Sequence, residues 1–285
     1  MRLRGVRGSR NIEDRRRAGG RSGSRTGRAG GMGVFGVLAV LAIGYFTGID
    51  VSPLLQGGQG GGVPHQAAPT TAAEERAGEF TARVLGTTED VWANVFAEQL
   101  GREYNAPILV LFSGVTQSPC GGASGATGPF YCPADQKAYL DTSFFSTLSQ
   151  RMGAGGDFAA AYVIAHEVAH HVQNELGILS KVNQAKRTAS QVQANELTVR
   201  TELMADCLSG VWARNVQGLM EKGDLAEALN AARKIGDDHL QRQAGRVPQP
   251  HTFTHGTSDQ RERWFARGYD SGAISQCDTF AAQQL

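Results

Sequence analysis

The stretch AYVIAHEVAHH, residues 161–171, constrains this chain more than any other, because it sets three histidines and a glutamate among apolar residues. Asp157 before it and Gly177 after it are typical helix-boundary residues, so the sequence predicts one helix between them. A helix this apolar is expected to be buried, and polar groups buried without partners cost free energy. Two outcomes are open. Either these polar side chains are solvated on an exposed helix face, or several of them bind one metal ion.

The spacing of the polar residues favours the metal ion. His166 and His170 lie four residues apart, which on a helix places them on one face, one turn and about 40° apart. Glu167 is offset by one position, so its carboxylate would lie beside the ion, where it can accept a proton from water. This His-Glu-x-x-His arrangement predicts His166 and His170 as metal ligands and Glu167 as the catalytic base. His171 faces elsewhere and is predicted to lie at the surface or to support the site.

A third ligand is expected from a second apolar helix. A hydrolytic zinc ion needs three protein ligands and one open position. The stretch RTELMADCLSGVWA, residues 200–213, offers Glu202 and Asp206, four residues apart on one helix face. Glu202 is the predicted ligand, and Asp206 is predicted to accept the spare N–H of a ligating imidazole. Two alternatives stay open: Glu196 as the ligand, or two acids that are merely solvated or paired with nearby arginines such as Arg200.

The N-terminal region differs in charge from the rest of the chain. Residues 1–31 hold ten arginines against two acidic residues, and this Gly- and Ser-rich segment is predicted to be a disordered basic tail. The remaining residues carry 18 basic and 25 acidic side chains. That balance excludes a broadly cationic nucleic-acid surface, and no nucleic-acid partner is expected.

An uncharged stretch of 18 residues, Met32–Ile49, follows this tail and is just long enough to cross a bilayer. The arginines before it predict a cytoplasmic N-terminus and a single signal-anchor helix, with the bulk of the chain outside the cytoplasm, in the periplasm or at the cell exterior. The alternatives are a buried core helix and a cleaved signal peptide. Residues 50–79, rich in Gly, Pro and Ala, are predicted to be a linker, and residues 80–285 the folded domain.

Four cysteines fit an oxidising compartment, and none forms the C-x-x-C pair of a structural zinc site. A Cys120–Cys132 disulfide would close a Gly-rich loop, which contributes about 3 kcal/mol in the chain-entropy model. Cys207 and Cys277 would then tie the C-terminal tail to a central helix. The alternative is four free buried thiols.

The order of elements predicts an α+β, mostly helical fold with a small antiparallel sheet. A helix is predicted over 87–105, strands over 107–114 and 137–145, and then a run of helices. Thr257 and Gln260 have capping-box spacing and are predicted to open the last helix. The other predicted helices after the first long one cover 192–216 and 225–243.

The motif HEVAHHVQ, followed about 30 residues later by ELMADCLSGVWA, resembles the gluzincin pattern of His-Glu-x-x-His with a downstream Glu-x-x-x-Asp. More closely, the chain from about Phe80 onward resembles the bacterial neutral zinc metallopeptidase family. That resemblance implies a zincin-like domain, a bound zinc ion, one transmembrane segment and peptidase activity. It assigns these roles: zinc ligands His166, His170 and Glu202, general base Glu167, and Asp206 orienting His166.

A second resemblance concerns the stretch FTHGTSDQRERWF, residues 253–265. It is similar to the Thr-His-Pro…Arg stretch of membrane-associated metallopeptidases, with Gly256 in place of the proline. The resemblance implies that His255 donates a hydrogen bond to the oxyanion.

Taken together, these observations predict a membrane-anchored zinc metalloendopeptidase of the gluzincin type, with Zn²⁺ as cofactor and a peptide or protein as substrate. An extended substrate is expected to pair with the edge of the 137–145 strand. Two other functions compete with this prediction. One is a zinc-containing, membrane-tethered binding or scaffold protein without turnover, and the other is a regulatory anchor whose Arg-rich tail carries the function.

Overall fold

The computed structural model describes residues 1–16, 70–124 and 128–285, and within these ranges the fold is mostly helical with two small sheets. The predicted α+β class is confirmed. The strands are β1 Ile12–Asp14, β2 Ile108–Phe112, β3 Val115–Ser118, β4 Gly121–Ser124, β5 Phe130–Cys132 and β6 Lys137–Asp141. The helices are α1 Ala72–Val95, α2 Phe144–Gln150, α3 Asp157–Glu175, α4 Ile178–Lys186, α5 Gln191–Asn215, α6 Asp224–Lys234, α7 Asp237–Gln243 and α8 Ser258–Ser271.

The larger sheet has the strand order β1-β2-β6-β5 and is mixed, so the prediction of an antiparallel sheet is wrong. β2 is parallel to both β1 and β6, and only β5 runs antiparallel to its neighbour β6. β5 and β6 form a hairpin, and β6 lies between β5 and β2, running parallel to β2. Strands β3 and β4 form a separate antiparallel pair.

This strand order also removes the predicted substrate edge. The strand expected at residues 137–145 is β6, which spans Lys137–Asp141 and is hydrogen-bonded on both sides, to β2 and to β5. Its edge is therefore not available for pairing with a peptide. The outer strands of the described sheet are β1 and β5.

Helix α3 lies in the middle of the core. It packs against α1, α4, α5 and α6 and against strands β5 and β6. Its side chains are buried on nearly every face, including Phe158, Tyr162 and Val168, each of which is fully buried. The prediction of a buried helix is confirmed, and its polar residues must find partners inside the protein.

Helices α5 and α8 cross at a close backbone contact that two glycines permit. A Cβ atom on Gly210 would lie 2.1 Å from the carbonyl oxygen of Phe265, and one on Gly268 would lie 1.8 Å from the carbonyl oxygen of Cys207. No other residue fits at these separations. The close approach places α8 directly against the face of α5 that carries Asp206.

The helix predicted over 225–243 is interrupted in the structure. It divides into α6 and α7 at Gly236, where a Cβ atom would lie 2.4 Å from the amide nitrogen of Ser258. The break makes Asp237 and Asp238 the first two residues of a new helix. The final helix starts as predicted, with a capping box between Thr257 and Gln260.

Residues 1–16 belong to the folded domain. Ile12–Asp14 forms β1, the parallel neighbour of β2, and Met1 is buried. The prediction that residues 1–31 form a disordered tail is therefore wrong for residues 1–16. Residues 17–31 lie outside the described ranges.

Acidic partners on the domain explain why so basic a segment folds there. The Arg7 guanidinium lies 3.0 Å from the Glu89 carboxylate and 2.6 Å from that of Asp90. The amino group of Met1 lies 2.9 Å from a carboxylate oxygen of Asp157. Acidic side chains of the domain thus bind part of the basic segment that the charge pattern predicted to be a free tail.

The described domain also begins earlier than the predicted boundary at Phe80. α1 starts at Ala72 behind a capping box formed by Thr71 and Glu74. The helix start predicted at residue 87 is therefore wrong. Thr87 and Thr88 lie inside α1, where their hydroxyls donate to the carbonyl oxygens of Val84 and Leu85.

In the described residues, no helix combines the length and the apolar character that crossing a bilayer would demand. The predicted span Met32–Ile49 lies outside these residues, as does most of the predicted linker over 50–79.

Both predicted disulfides are present. Cys120 pairs with Cys132 at a Cα–Cα distance of 5.7 Å, and Cys207 pairs with Cys277 at 5.4 Å. The second bond joins α5 to the C-terminal segment, as the sequence predicted.

Candidate metal centre

His166, His170 and Glu202 converge although they come from two helices. Each offers one ligand atom, and these three atoms lie within 4.8 Å of one another. The Nε2 atom of His166 lies 3.1 Å from Oε2 of Glu202, and Nε2 of His170 lies 3.4 Å from Oε1. The structure therefore brings together the three side chains predicted as metal ligands.

The outer nitrogen of each imidazole has its own acceptor. Nδ1 of His166 lies 3.0 Å from Oδ1 of Asp206, and Nδ1 of His170 lies 2.9 Å from Oε1 of Gln173. An Nδ1 that donates to an oxygen leaves the Nε2 lone pair of a neutral imidazole facing inward. Both Nε2 atoms then face carboxylate oxygens, and this group of lone pairs requires a cation.

The pKa shifts in the metal-free site also indicate that it favours a bound positive charge. Burial alone lowers the pKa of His166, but its hydrogen bonds to Asp206 and Glu202 outweigh burial and raise that pKa to about 10. Burial raises the pKa of Glu202, and the neighbouring His170 and His166 overcome it, so the pKa falls well below its ordinary value. A proton on His166 supplies part of this positive charge. Two imidazoles and a carboxylate are also a donor set that can bind a divalent ion.

Asp206 is completely buried and lies at the centre of a polar network behind His166. The guanidinium of Arg261 donates to it twice, from Nε to Oδ2 and from Nη2 to Oδ1, both at 2.9 Å. The hydroxyl of Tyr162 donates to Oδ1 at 2.5 Å. Burial would raise the pKa of Asp206, but Arg261 and His166 together lower it. Asp206 therefore stays ionised and can hold the Nδ1–H of His166.

Glu167 lies on the same helix as the two histidines and is 9 % exposed. Burial raises the pKa of its carboxyl group, while the positive charges of His170 and His166 oppose that shift. A buried carboxylate with a raised pKa is suited to accept and return a proton.

His255 is presented by a loop that the N-terminal end of α7 holds in place. One oxygen of Asp237 accepts the backbone N–H groups of Thr254, His255 and Gly256, at 2.7, 2.6 and 3.0 Å. The other oxygen lies 3.3 Å from Nδ1 of His255, whose side chain is 45 % exposed. His255 also contributes positive charge to the site, because it is among the groups that lower the pKa of Glu202.

Two other residues considered from the sequence lie away from the ligands. Glu196, the alternative third ligand, is exposed and pairs with Arg200 on the next turn at 3.3 Å. His171 is buried, with Nε2 at 2.6 Å from the carbonyl oxygen of Asn105 and Nδ1 at 3.0 Å from the Tyr131 hydroxyl. It joins α3 to the sheet and does not face the metal-ligand atoms.

A second acidic group, formed by Asp157, Asp224 and Glu227, also brings carboxylate oxygens close together. The amino group of Met1 lies 3.2 Å from Asp224 as well as 2.9 Å from Asp157. This group therefore already has a cation, supplied by the protein itself.

Sequence reasoning missed Gln173, Arg261 and Tyr162, and for Asp237 it favoured a solvated helix end over a role at the site. Gln173 had a detectable signal, since it follows His170 by three residues on the same helix and can reach its ring. Arg261 lies in the stretch that resembles Thr-His-Pro…Arg, but its partner Asp206 could not be read from the sequence because that contact joins distant segments.

The fold and the site place this protein among mostly helical proteins in which a His-Glu-x-x-His helix faces a carboxylate from a second helix. The chain belongs to the family described as "Putative neutral zinc metallopeptidase", whose model matches residues 1–280. That match includes the N-terminal segment that folds onto the domain.

The relatives of this chain are uncharacterized proteins. The protein YpfJ of Escherichia coli strain K12 is 48% identical over 287 residues, which cover 98% of this chain and 99% of the relative. The protein Rv2575 of Mycobacterium tuberculosis strain H37Rv is 43% identical over 195 residues, 64% of this chain and 65% of the relative. No solved structure matches the chain.

Proposed function

We propose that this protein is a zinc-dependent endopeptidase of the gluzincin type, acting on peptides or proteins. The observation that carries the proposal is the convergence of His166, His170 and Glu202 within 4.8 Å, next to the buried carboxylate of Glu167. The family name supports zinc as the ion. When bound, zinc would polarise the scissile carbonyl and make water acidic enough to be deprotonated near neutral pH.

Glu167 supplies the acid–base chemistry in this proposal. Its carboxylate accepts the proton of the attacking water and returns it to the leaving amine. Burial keeps bulk water from competing for that proton, and the raised pKa favours its temporary retention. Asp206, held by Arg261, accepts from Nδ1 of His166 and so keeps Nε2 facing the Glu202 carboxylate, and these are two of the groups that would hold the zinc ion.

His255 is proposed to stabilise the oxyanion. Asp237 holds its backbone and faces its Nδ1, so Nε2 carries a proton for a substrate oxygen when the ring is an imidazolium. Burial lowers the pKa of His255, but the hydrogen bond to Asp237 and the charge of Glu202 raise it overall, which favours that form. A hydrogen-bond donor aimed at developing negative charge lowers the barrier of acyl transfer.

The position of the domain outside the cytoplasm stays a prediction. So does the membrane anchor at Met32–Ile49, but a single span there would put residues 1–16 and the rest of the domain on opposite sides of the membrane, which the pairing of β1 with β2 opposes. Two disulfides support an oxidising compartment. The cytoplasmic tail is not proposed for residues 1–16, because they form part of the folded domain.

The test compares cleavage of casein and of a peptide library by the zinc-loaded full chain, the Glu167→Gln variant and the Glu196→Gln variant. Glu196 lies on α5, exposed and away from the ligands, and serves as the matched control. We expect Glu167→Gln to keep its zinc and lose cleavage, and Glu196→Gln to behave like the wild type. Cleavage that survives Glu167→Gln would overturn the mechanism. A zinc-loaded wild type without cleavage would instead favour a binding or scaffold protein.

A further inference from the structure

We infer that Gln173 is a positioning residue of the metal centre, which fixes the tautomer of His170 and joins the two helices that carry the ligands. The inference rests on the proposed metal centre, but it concerns the state of the ligands and not turnover.

The contacts of Gln173 determine which way its amide points. Its side chain is fully buried, and its two polar ends face different groups. One end lies 2.6 Å from the backbone carbonyl oxygen of Thr201. A carbonyl oxygen can only accept a hydrogen bond, so the NH₂ group must be at this end.

The orientation of the amide then determines the tautomer of His170. With the NH₂ group at Thr201, the amide oxygen is the atom 2.9 Å from Nδ1 of His170. An amide oxygen also only accepts, so Nδ1 must carry the proton. In a neutral ring the lone pair is then on Nε2, the atom 3.4 Å from Glu202. The carbonyl of Thr201, acting through the Gln173 side chain, thus determines that Nε2 is the nitrogen of His170 with a lone pair for a metal ion.

Gln173 also sets the distance between the ligand helices. Thr201 is the residue before Glu202 on α5, whereas His170 and Gln173 are on α3. The hydrogen bond from Gln173 to Thr201 therefore connects the two helices one residue away from the carboxylate ligand. Loss of this bond is expected to loosen both the histidine and the spacing to Glu202.

An amide is suited to this position where a carboxylate is not. His166 uses the carboxylate of Asp206, whose charge is balanced by Arg261. A carboxylate at position 173 would place acceptor against acceptor at the Thr201 carbonyl. Glutamine offers a donor and an acceptor at the required reach, with no added charge to bury.

The experiment uses the full chain with the variants Gln173→Met and Gln173→Glu and the control Gln241→Met. Gln241 is also buried and also bridges two groups, Thr252 and the backbone of Gln249, but it lies on α7 away from the ligands. Two quantities are measured. One is the tautomer of His170 in the metal-free protein at alkaline pH, from long-range ¹H–¹⁵N spectra, and the other is zinc affinity by chelator competition.

We expect Gln173→Met to lose the single Nδ1–H tautomer and to bind zinc about 10- to 100-fold more weakly. Gln173→Glu keeps an acceptor for His170 and should restore the tautomer. Gln241→Met should leave both quantities at the wild-type level. An unchanged tautomer and zinc affinity in Gln173→Met would overturn the inference. If that variant does not fold, a mixed tautomer of His170 in the wild type itself would do so.

The outcome is separable from that of the proposed function. A wild type that binds zinc without cleaving any substrate refutes the endopeptidase, while the tautomer and the zinc affinity still decide the role of Gln173.

Discussion

Asp206 and Arg261 form a bidentate ion pair that is buried on both sides, with exposed side-chain fractions of 0% and 2%. The pair lies behind His166, whose Nδ1 shares Oδ1 of Asp206 with the Tyr162 hydroxyl. A buried carboxylate without such a partner would favour its neutral form. The ion pair therefore keeps Asp206 able to accept from His166.

Replacing Arg261 by Met should be strongly destabilising, because it leaves Asp206 as an uncompensated buried charge. We expect a loss of about 3–5 kcal/mol in the free energy of unfolding, measured by urea denaturation of the metal-free protein. Arg263, exposed on the same helix, gives the control Arg263→Met, for which we expect a change within about 0.5 kcal/mol. Equal effects of the two changes would contradict the role assigned to the pair.

The stability of the metal-free protein should depend on pH through His166. Its pKa is raised from 6.5 to about 10 in the folded state, so folding takes up a proton. This contribution is fully present below pH 6.5 and is lost as the pH rises toward about 10. Urea midpoints measured across this range should fall with rising pH, and His166→Phe should flatten the profile. A midpoint that is constant or rises over this interval would exclude the assigned proton.

His255→Ala should slow peptide cleavage by about 100-fold in kcat without loss of bound zinc, if His255 donates to the oxyanion. The control is His251→Ala, an exposed histidine four residues earlier. Rates are measured on one peptide substrate, with metal content determined for each preparation. Equal rates for the two variants would remove His255 from the mechanism.

Gly86→Leu should displace the N-terminal segment from α1. A Cβ atom on Gly86 would lie 2.6 Å from the backbone carbonyl oxygen of Arg7. Leucine favours a helix over glycine by about 0.8 kcal/mol, so any loss of stability arises from the lost contact. The amide of Leu109, which donates to the Asn11 carbonyl at 2.8 Å, should exchange faster with deuterium. Ala93→Leu, at an exposed site on α1, should leave its exchange unchanged.

The two ends of the segment between residues 16 and 70 should be accessible from the same side of any membrane. The Arg16 guanidinium donates to the Glu74 carbonyl, and β1 pairs with β2 of the domain. Cysteines introduced at the exposed residues Arg4 and Lys222 should therefore react together with a membrane-impermeant maleimide in intact cells or in inverted vesicles. Labelling from opposite sides would mean that β1 is not part of the sheet in the cell.

The sequence by itself was sufficient for local features with a short period. The His166–Glu167–His170 spacing, the Glu202–Asp206 spacing and the Thr257 capping box each lie within one or two helical turns. Short-range spacing determines which side chains share a helix face, so these groupings could be predicted directly.

Tertiary structure decided everything that depends on contacts between distant segments. The strand Ile12–Asp14 is stable only because β2 lies beside it. The basic charge around this strand indicated a free tail, because the acidic partners of these arginines are distant in sequence. Arg261 reaches Asp206 because Gly210 and Gly268 let two helices approach closely. Sequence spacing specifies the faces of single elements, whereas the backbone separations between elements, set by packing, determine which faces meet.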